Sequence, residues 1–135
     1  MRTNALAEML FLPGVRREEA VHRAAVERVI AFTELERYRH SPVETLPFGT
    51  QKLVGFARAL ALEPAVLLLD EPFSNVDSRS AQEMAGLLAQ LRDRGKTLLV
   101  VTHQPRILES VADEFVWMEQ GKIVDRTSGL RAGTQ

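Results

Sequence analysis

Asp70 and Glu71 follow four consecutive apolar residues, Val66 to Leu69, and stand directly before Pro72. An apolar run of that length, bounded by Pro64 and Asp70, reads as a strand buried on both faces, as in a parallel sheet covered by helices. Open α/β sheets place their ligands at the carboxyl ends of the strands. A carboxylate there can hold Mg²⁺ through its water shell, because Mg²⁺ prefers oxygen ligands and keeps several waters. The adjacent Glu71 can orient and deprotonate an attacking water. The plainer alternative is a strand that ends in two solvated acids before a proline turn.

Two further groups of residues have types suited to phosphate chemistry. Leu46-Pro47-Phe48-Gly49-Thr50-Gln51-Lys52 opens a helix. A helix N-terminus presents unpaired N–H groups and the positive end of its dipole, so it suits an anion. Gly49 lets backbone approach such an anion closely. An ordinary Pro/Gly helix start is the plainer alternative. Val100-Val101-Thr102-His103 is an apolar strand that ends in histidine. If its strand neighbours Val66–Leu69, His103 lies at the same sheet edge as Asp70 and Glu71. Its imidazole can then donate to a phosphate oxygen. A solvent-facing loop histidine is the competing reading. His22 and His40 are assigned to polar surface with no role.

The elements that position these residues follow from periodicity. Residues 4–11 form a short apolar segment closed by the Pro13-Gly14 turn signal. A helix is expected from about Arg17 to Thr33, with Val21, Ala25, Val29 and Phe32 on one face and Arg23, Glu27 and Arg28 on the other. Leu35 to Glu44 is a polar connection. A second helix starts near Pro47 to Gly49, buries Leu53, Phe56, Ala57 and Leu60, and ends at Glu63-Pro64. Ser78 to Arg94 is a helix with Ala81, Met84, Leu88 and Leu91 inward. Ser80 and Glu83 have capping-box spacing, Asp77 is a rival N-cap, and Gly95 supplies a left-handed stop. Thr97 to Val101 is a second buried strand and Pro105 to Ala112 a short helix. Two short strands, Phe115–Met118 and Ile123–Val124, flank a Gln120-Gly121 turn. The alternation of strands and helices argues for an α/β fold with a parallel core.

Composition narrows the function. The chain has 135 residues, enough for one small domain, with a net charge of -1 and no cysteine. No basic excess points to a nucleic-acid partner, and neither a disulfide framework nor a thiolate metal site is available. The apolar stretches are too short to span a bilayer and the N-terminus does not read as a signal peptide, so any membrane link is expected through a partner.

Taken in order, the three groups resemble the ATP-binding-cassette (ABC) ATPases. Leu46 to Lys52 with Val54-Gly55-Phe56-Ala57-Arg58-Ala59-Leu60 is similar to the family's signature segment and helix. Leu67 to Glu71 resembles its Walker B strand with the catalytic glutamate, and Ser74-Asn75-Val76-Asp77 its D-loop. Thr102-His103 resembles the switch histidine, and Glu119 to Val124 the closing strand pair. Asn4 to Glu71 looks most like the ATPase subunits of branched-chain amino-acid importers. The later motifs look like generic exporter or haem-export ATPases.

The resemblance implies a partial P-loop NTPase (RecA-like) parallel sheet with flanking helices, preceded by a helical subdomain. The expected division is a helical portion at 1–48, an ATPase-core portion at 49–126 and a tail at 127–135. The implied ligands are ATP and Mg²⁺. Asp70 would hold the metal, Glu71 would activate water and His103 would sense the γ-phosphate. Phe48, Gly49, Thr50, Gln51, Ser74 and Asp77 would be the nucleotide-binding residues, Gly49 with its neighbours serving the ATP of a second ABC ATPase subunit and Asp77 linking the sites across the dimer. Transmembrane permease subunits would be the other partners, and the location cytoplasmic, peripheral on the inner face of the cell membrane.

Two departures matter. Gly95-Lys96-Thr97 imitates the end of G-x-x-x-x-G-K-[ST], but residue 90 is Gln, and the segment follows a helix and precedes a strand, the reverse of a P-loop. Without that loop the chain alone is expected to be inactive, as a truncated product or a partial sequence. Pro47 stands where the signature has serine, and Thr50 replaces the usual glutamine, with Gln51 adjacent. The rivals are an ABC ATPase outside transport, and a non-catalytic module docking on a permease or an intact cassette.

Overall fold

The computed structural model describes residues 13–129. The apolar segment expected at 4–11, and the end of the tail, lie outside the described residues. In chain order the elements are α1 (Pro13–Phe32), 3-10 turns at Glu36–Tyr38 and Val43–Thr45, α2 (Phe48–Leu60), β1 (Val66–Asp70), α3 (Ser78–Asp93), β2 (Thr97–Val101), a 3-10 turn at Pro105–Leu108, β3 (Glu114–Glu119) and β4 (Lys122–Ser128). This is the α/β architecture expected from the sequence.

α1 begins at Pro13, ahead of the expected start at Arg17. The Pro-Gly pair opens the helix instead of closing a turn, because proline's missing N–H has no partner to lose in a first helical turn. Ala25 is buried, and Val29 and Phe32 pack against the core, but Val21 is 60% exposed. The core therefore reaches only the later turns of this helix. Its polar side is tied down by charge pairs. Arg39 grips both oxygens of Glu27 at 2.7 Å, and Arg28 donates to Glu63 at 2.7 Å. The guanidinium of Arg39 holds the Glu27 carboxyl below its usual range.

β1 and β2 pair in parallel, with Leu67 opposite Leu98 and Asp70 opposite Val101. One face of the pair packs on α2 and α3. Leu67 is buried, and Leu69, Leu98 and Val100 pack against the buried cluster that includes Phe56, Phe73, Met84 and Leu88. The other face corrects the expectation of two-sided burial, since Val66, Leu68, Leu99 and Val101 are all exposed. α2 and α3 lie against the Leu67 side, and among the described residues nothing buries the alternate row.

α3 buries Ala81, Met84, Leu88 and Leu91 as its spacing predicts. The rival cap is the one used. Asp77 accepts from the Ser80 N–H at 3.0 Å and from its hydroxyl at 2.7 Å, while Glu83 turns to Arg79 instead of closing a capping box. Gly95, with φ of 81°, stops the helix in the left-handed conformation expected of it. The helix expected over Pro105–Ala112 is a single 3-10 turn to Leu108 followed by a backbone turn, with Val111 and Ala112 both donating to Leu108. β3 and β4 form an antiparallel hairpin around Gln120-Gly121, both at positive φ. β4 runs Lys122–Ser128, longer than the expected Ile123–Val124 strand.

Candidate functional site

Register brings the acid pair and the histidine to one edge. Because Asp70 lies opposite Val101, the residues that follow each strand emerge side by side. Glu71 leaves the strand with φ of 45°, a left-handed conformation that is costly for a residue with a Cβ. The kink is pinned from several sides. The Glu71 N–H donates to the Val101 carbonyl at 2.9 Å, and the Glu71 carbonyl accepts from the Ser74 N–H at 3.2 Å. The same carbonyl accepts from the Ser74 hydroxyl at 3.0 Å and from Lys52 Nζ at 3.0 Å. Phe73, 1% exposed, anchors the turn in the core.

The kink turns the Glu71 carboxylate toward His103. Oε1 accepts from the His103 N–H at 3.1 Å. Nδ1 of the ring lies 2.8 Å from Oε2, which is buried and accepts no aligned hydrogen bond. His103 itself is largely open to solvent, and its Nε2 lies 3.3 Å from Gln104 Nε2. Asp70 is exposed at the same edge. One outward carboxylate fits a Mg²⁺ ion that takes its other ligands from water and phosphate. Among the described residues, no cluster of three or more acidic or histidine side chains could hold a metal by itself.

The first turn of α2 stands beside this edge. Pro47 is its N-cap and gives no side-chain cap. Gln51 turns its amide back onto the Leu46 carbonyl at 2.9 Å, while Phe48 is half exposed and Thr50 half-buried. Gly49 faces α3. A methyl group there would meet Ser80 at 3.1 Å and Val76 at 3.5 Å. Its missing side chain therefore lets two helix starts approach each other, a packing reason that sequence reading did not supply. Ser80 is also what holds Asp77, whose carboxyl it keeps below the usual carboxylate range. Asp77 thus stands apart from the Glu71–His103 pair, engaged at the start of α3.

Lys52 is the residue the sequence reading passed over. Lys52 lies one turn before the buried Phe56, at the margin of the inward side of α2. A lysine there must find partners for its ammonium. That was the available signal. Lys96, in contrast, lies at the far end of the sheet and donates to the Pro64 carbonyl at 2.8 Å. Gly95-Lys96-Thr97 is thus a helix stop and strand start, remote from the acids.

Residues 3–109 match the family described as "AAA domain, putative AbiEii toxin, Type IV TA system". The methionine import ATP-binding protein MetN of Corynebacterium diphtheriae is 38% identical over 86% of this chain and 34% of its own. The glutamine transport ATP-binding protein GlnQ of Escherichia coli is 34% identical over 90% of this chain and 51% of its own. The chain thus spans about a third to a half of these relatives' length. A solved dimeric cassette of a bacterial ABC transporter superposes with a TM-score of 0.69 at 29% identity, over 78% of this chain and 46% of the cassette. The strand-end acids, the parallel pair and these likenesses agree, and the chain belongs to the ATP-binding domains of ABC transporters.

Proposed function

We propose that this chain carries the water-activating and signature parts of an ABC ATPase that drives amino-acid import through a membrane permease. The observation that carries the reading is the Glu71–His103 contact at the carboxyl ends of β1 and β2. The Glu71 carboxylate takes the proton of the attacking water, and His103 orients that carboxylate and faces the γ-phosphate. Asp70 would hold Mg²⁺, whose role is to neutralise charge on the phosphates. Phe48, Gly49, Thr50 and Gln51 engage the nucleotide of a second ATPase subunit, with Ser74 and Asp77 between the two sites. The dimeric cassette supports that pairing. No helix among the described residues is long and apolar enough to cross a membrane. Attachment in this reading is through the permease. The relatives named for methionine and glutamine transport support an amino-acid cargo. The Leu46–Gly49 and Val54–Arg58 segments favour a branched-chain one.

The chain contains no Gly-rich phosphate loop, so its own affinity for MgATP is weak. A second reading, a non-catalytic module docked on a permease or intact cassette, draws on the bare face of Val66, Leu68, Leu99 and Val101. One experiment separates the two. With the phosphate-loop half of a related cassette joined ahead of this chain, Glu71→Gln lowers single-turnover hydrolysis by about 10²–10⁴-fold and leaves ATP bound. Asp70→Asn weakens Mg²⁺-dependent binding, and His103→Ala slows turnover more than it weakens binding. Hydrolysis by Glu71→Gln at the parent rate overturns the catalytic reading.

A further inference from the structure

We infer that Lys52 is a positioning residue that locks the first turns of α2 to the kinked backbone of Glu71. The inference rests on Glu71 being the base, and it concerns what holds that base in place. Lys52 Nζ donates to the Glu71 carbonyl and to Ser74 Oγ, each at 3.0 Å, and Ser74 Oγ donates in turn to the same carbonyl at 3.0 Å. These three groups close a small polar ring between elements 19 and 22 residues apart. The ammonium also lies 5.7 Å from the centre of the Phe48 ring, one helical turn back.

The ring sits where it matters mechanically. Left-handed backbone at a glutamate is strained and persists only when its surroundings over-determine it. An ammonium aimed at the carbonyl of that residue supplies a charge-assisted bond, stronger than a neutral one. The direction of the carboxylate toward His103 depends on the kink. Lys52 therefore acts on the carboxylate through the backbone, without touching it. Because Phe48 to Gln51 are the residues proposed to meet a partner's nucleotide, any displacement of that turn is carried to Glu71 by the same lysine. Signature engagement and placement of the base become one event.

The test uses the full chain and two readouts, amide hydrogen exchange and the ring resonances of His103. Lys52→Met keeps the apolar stem and removes the donors. Exchange at the Glu71, Ser74 and His103 amides is expected to rise about tenfold, the scale of one lost hydrogen bond. Strand amides at Leu68 and Leu99 stay as they were, and the His103 ring signals move toward those of a free imidazole. Lys52→Arg restores protection in part. Should Lys52→Met fail to fold, Ser74→Ala breaks the ring from the other side and gives the same local pattern. Unchanged exchange, or a rise spread evenly over the whole chain, overturns the inference. Glu71→Gln separates it from the catalytic reading, since the variant keeps the backbone carbonyl. Turn protection that still depends on Lys52 in that variant supports the lock even where hydrolysis proves indifferent to Glu71.

Discussion

Each face of the β1–β2 pair carries four apolar side chains, and the two sets are opposite in circumstance. On one, Leu67, Leu69, Leu98 and Val100 rest on α2, α3 and the Phe73 turn. On the other, Val66, Leu68, Leu99 and Val101 stand in solvent. Alternation puts Asp70, two residues after Leu68, at the end of the bare row, while the kink at Glu71 breaks the alternation. The covered face thus builds the platform on which Glu71 and His103 meet. The bare face contributes apolar area and one carboxylate. Apolarity marks which residues form a strand, but only the packing partner decides which of them stabilise it.

The sharpest way to break that contrast is truncation of adjacent leucines. Leu67 is 6% exposed and Leu68 is 69% exposed. Leu67→Ala removes a side chain from packed surroundings and is expected to cost about 2–5 kcal/mol. Leu68→Ala is expected to change stability by less than about 0.5 kcal/mol. Chemical denaturation with an unchanged m-value for both variants is the measurement. Equal losses would mean that the second face is covered too.

Much of this was legible in the residues. Four apolar residues before two acids mark a strand and its chemical end, and the spacing of Ala81, Met84, Leu88 and Leu91 marks the inward side of α3. Gly95 as a helix stop follows from the same reasoning. What the residues withheld was relational. Local spacing could not choose between Asp77 and Ser80 as the cap, because both have side chains of the right kind. It could not show that Gly49 makes room for Ser80, 31 positions on in the chain, or that Lys52 reaches Glu71. Nor could it tell a two-sided strand from a one-sided one, since both read as a continuous apolar run. Proline at 13 was legible as punctuation, yet it opens a helix as readily as it closes a turn.

The covered face depends on α3, and α3 on its cap, so the next effect is smaller. Asp77→Ala leaves the Ser80 N–H without its acceptor at the start of the helix. The expected result at neutral pH is a drop in melting temperature of about a few degrees. The Ser80 hydroxyl and amide hold the Asp77 carboxyl below its ordinary value of 3.8. A carboxyl lowered on folding stabilises above its unfolded value and loses that contribution as pH falls through the folded one. Parent and variant melting curves should therefore differ at pH 7 and converge as pH drops below about 3.8. Comparing the two proteins at each pH removes the parallel contribution of Glu27, which Arg39 lowers in both. A gap that stays constant into strong acid would show that the cap acts by shape and not by charge.

The smallest effect on folding belongs to the bare face, and it sharpens the comparison from the other side. Leu68→Thr with Leu99→Thr exchanges two facing apolar side chains for β-branched polar ones that suit a strand. Neither residue packs on the core, so the stability change should stay within about 0.5 kcal/mol. Association should respond far more, because a row of exposed apolar side chains favours contact between molecules. Sedimentation across a range of concentrations is expected to show the parent chain self-associating and the double variant shifted toward monomer. A double variant that associates as the parent does would move the adhesive surface elsewhere. The β3–β4 hairpin would be the next place to cut, since Val116, Trp117, Met118, Ile123 and Val124 are exposed there as well. A double variant that stays monomeric and folds as the parent does would establish that the bare row adds nothing to the fold of this chain, and that its apolar residues act only between molecules.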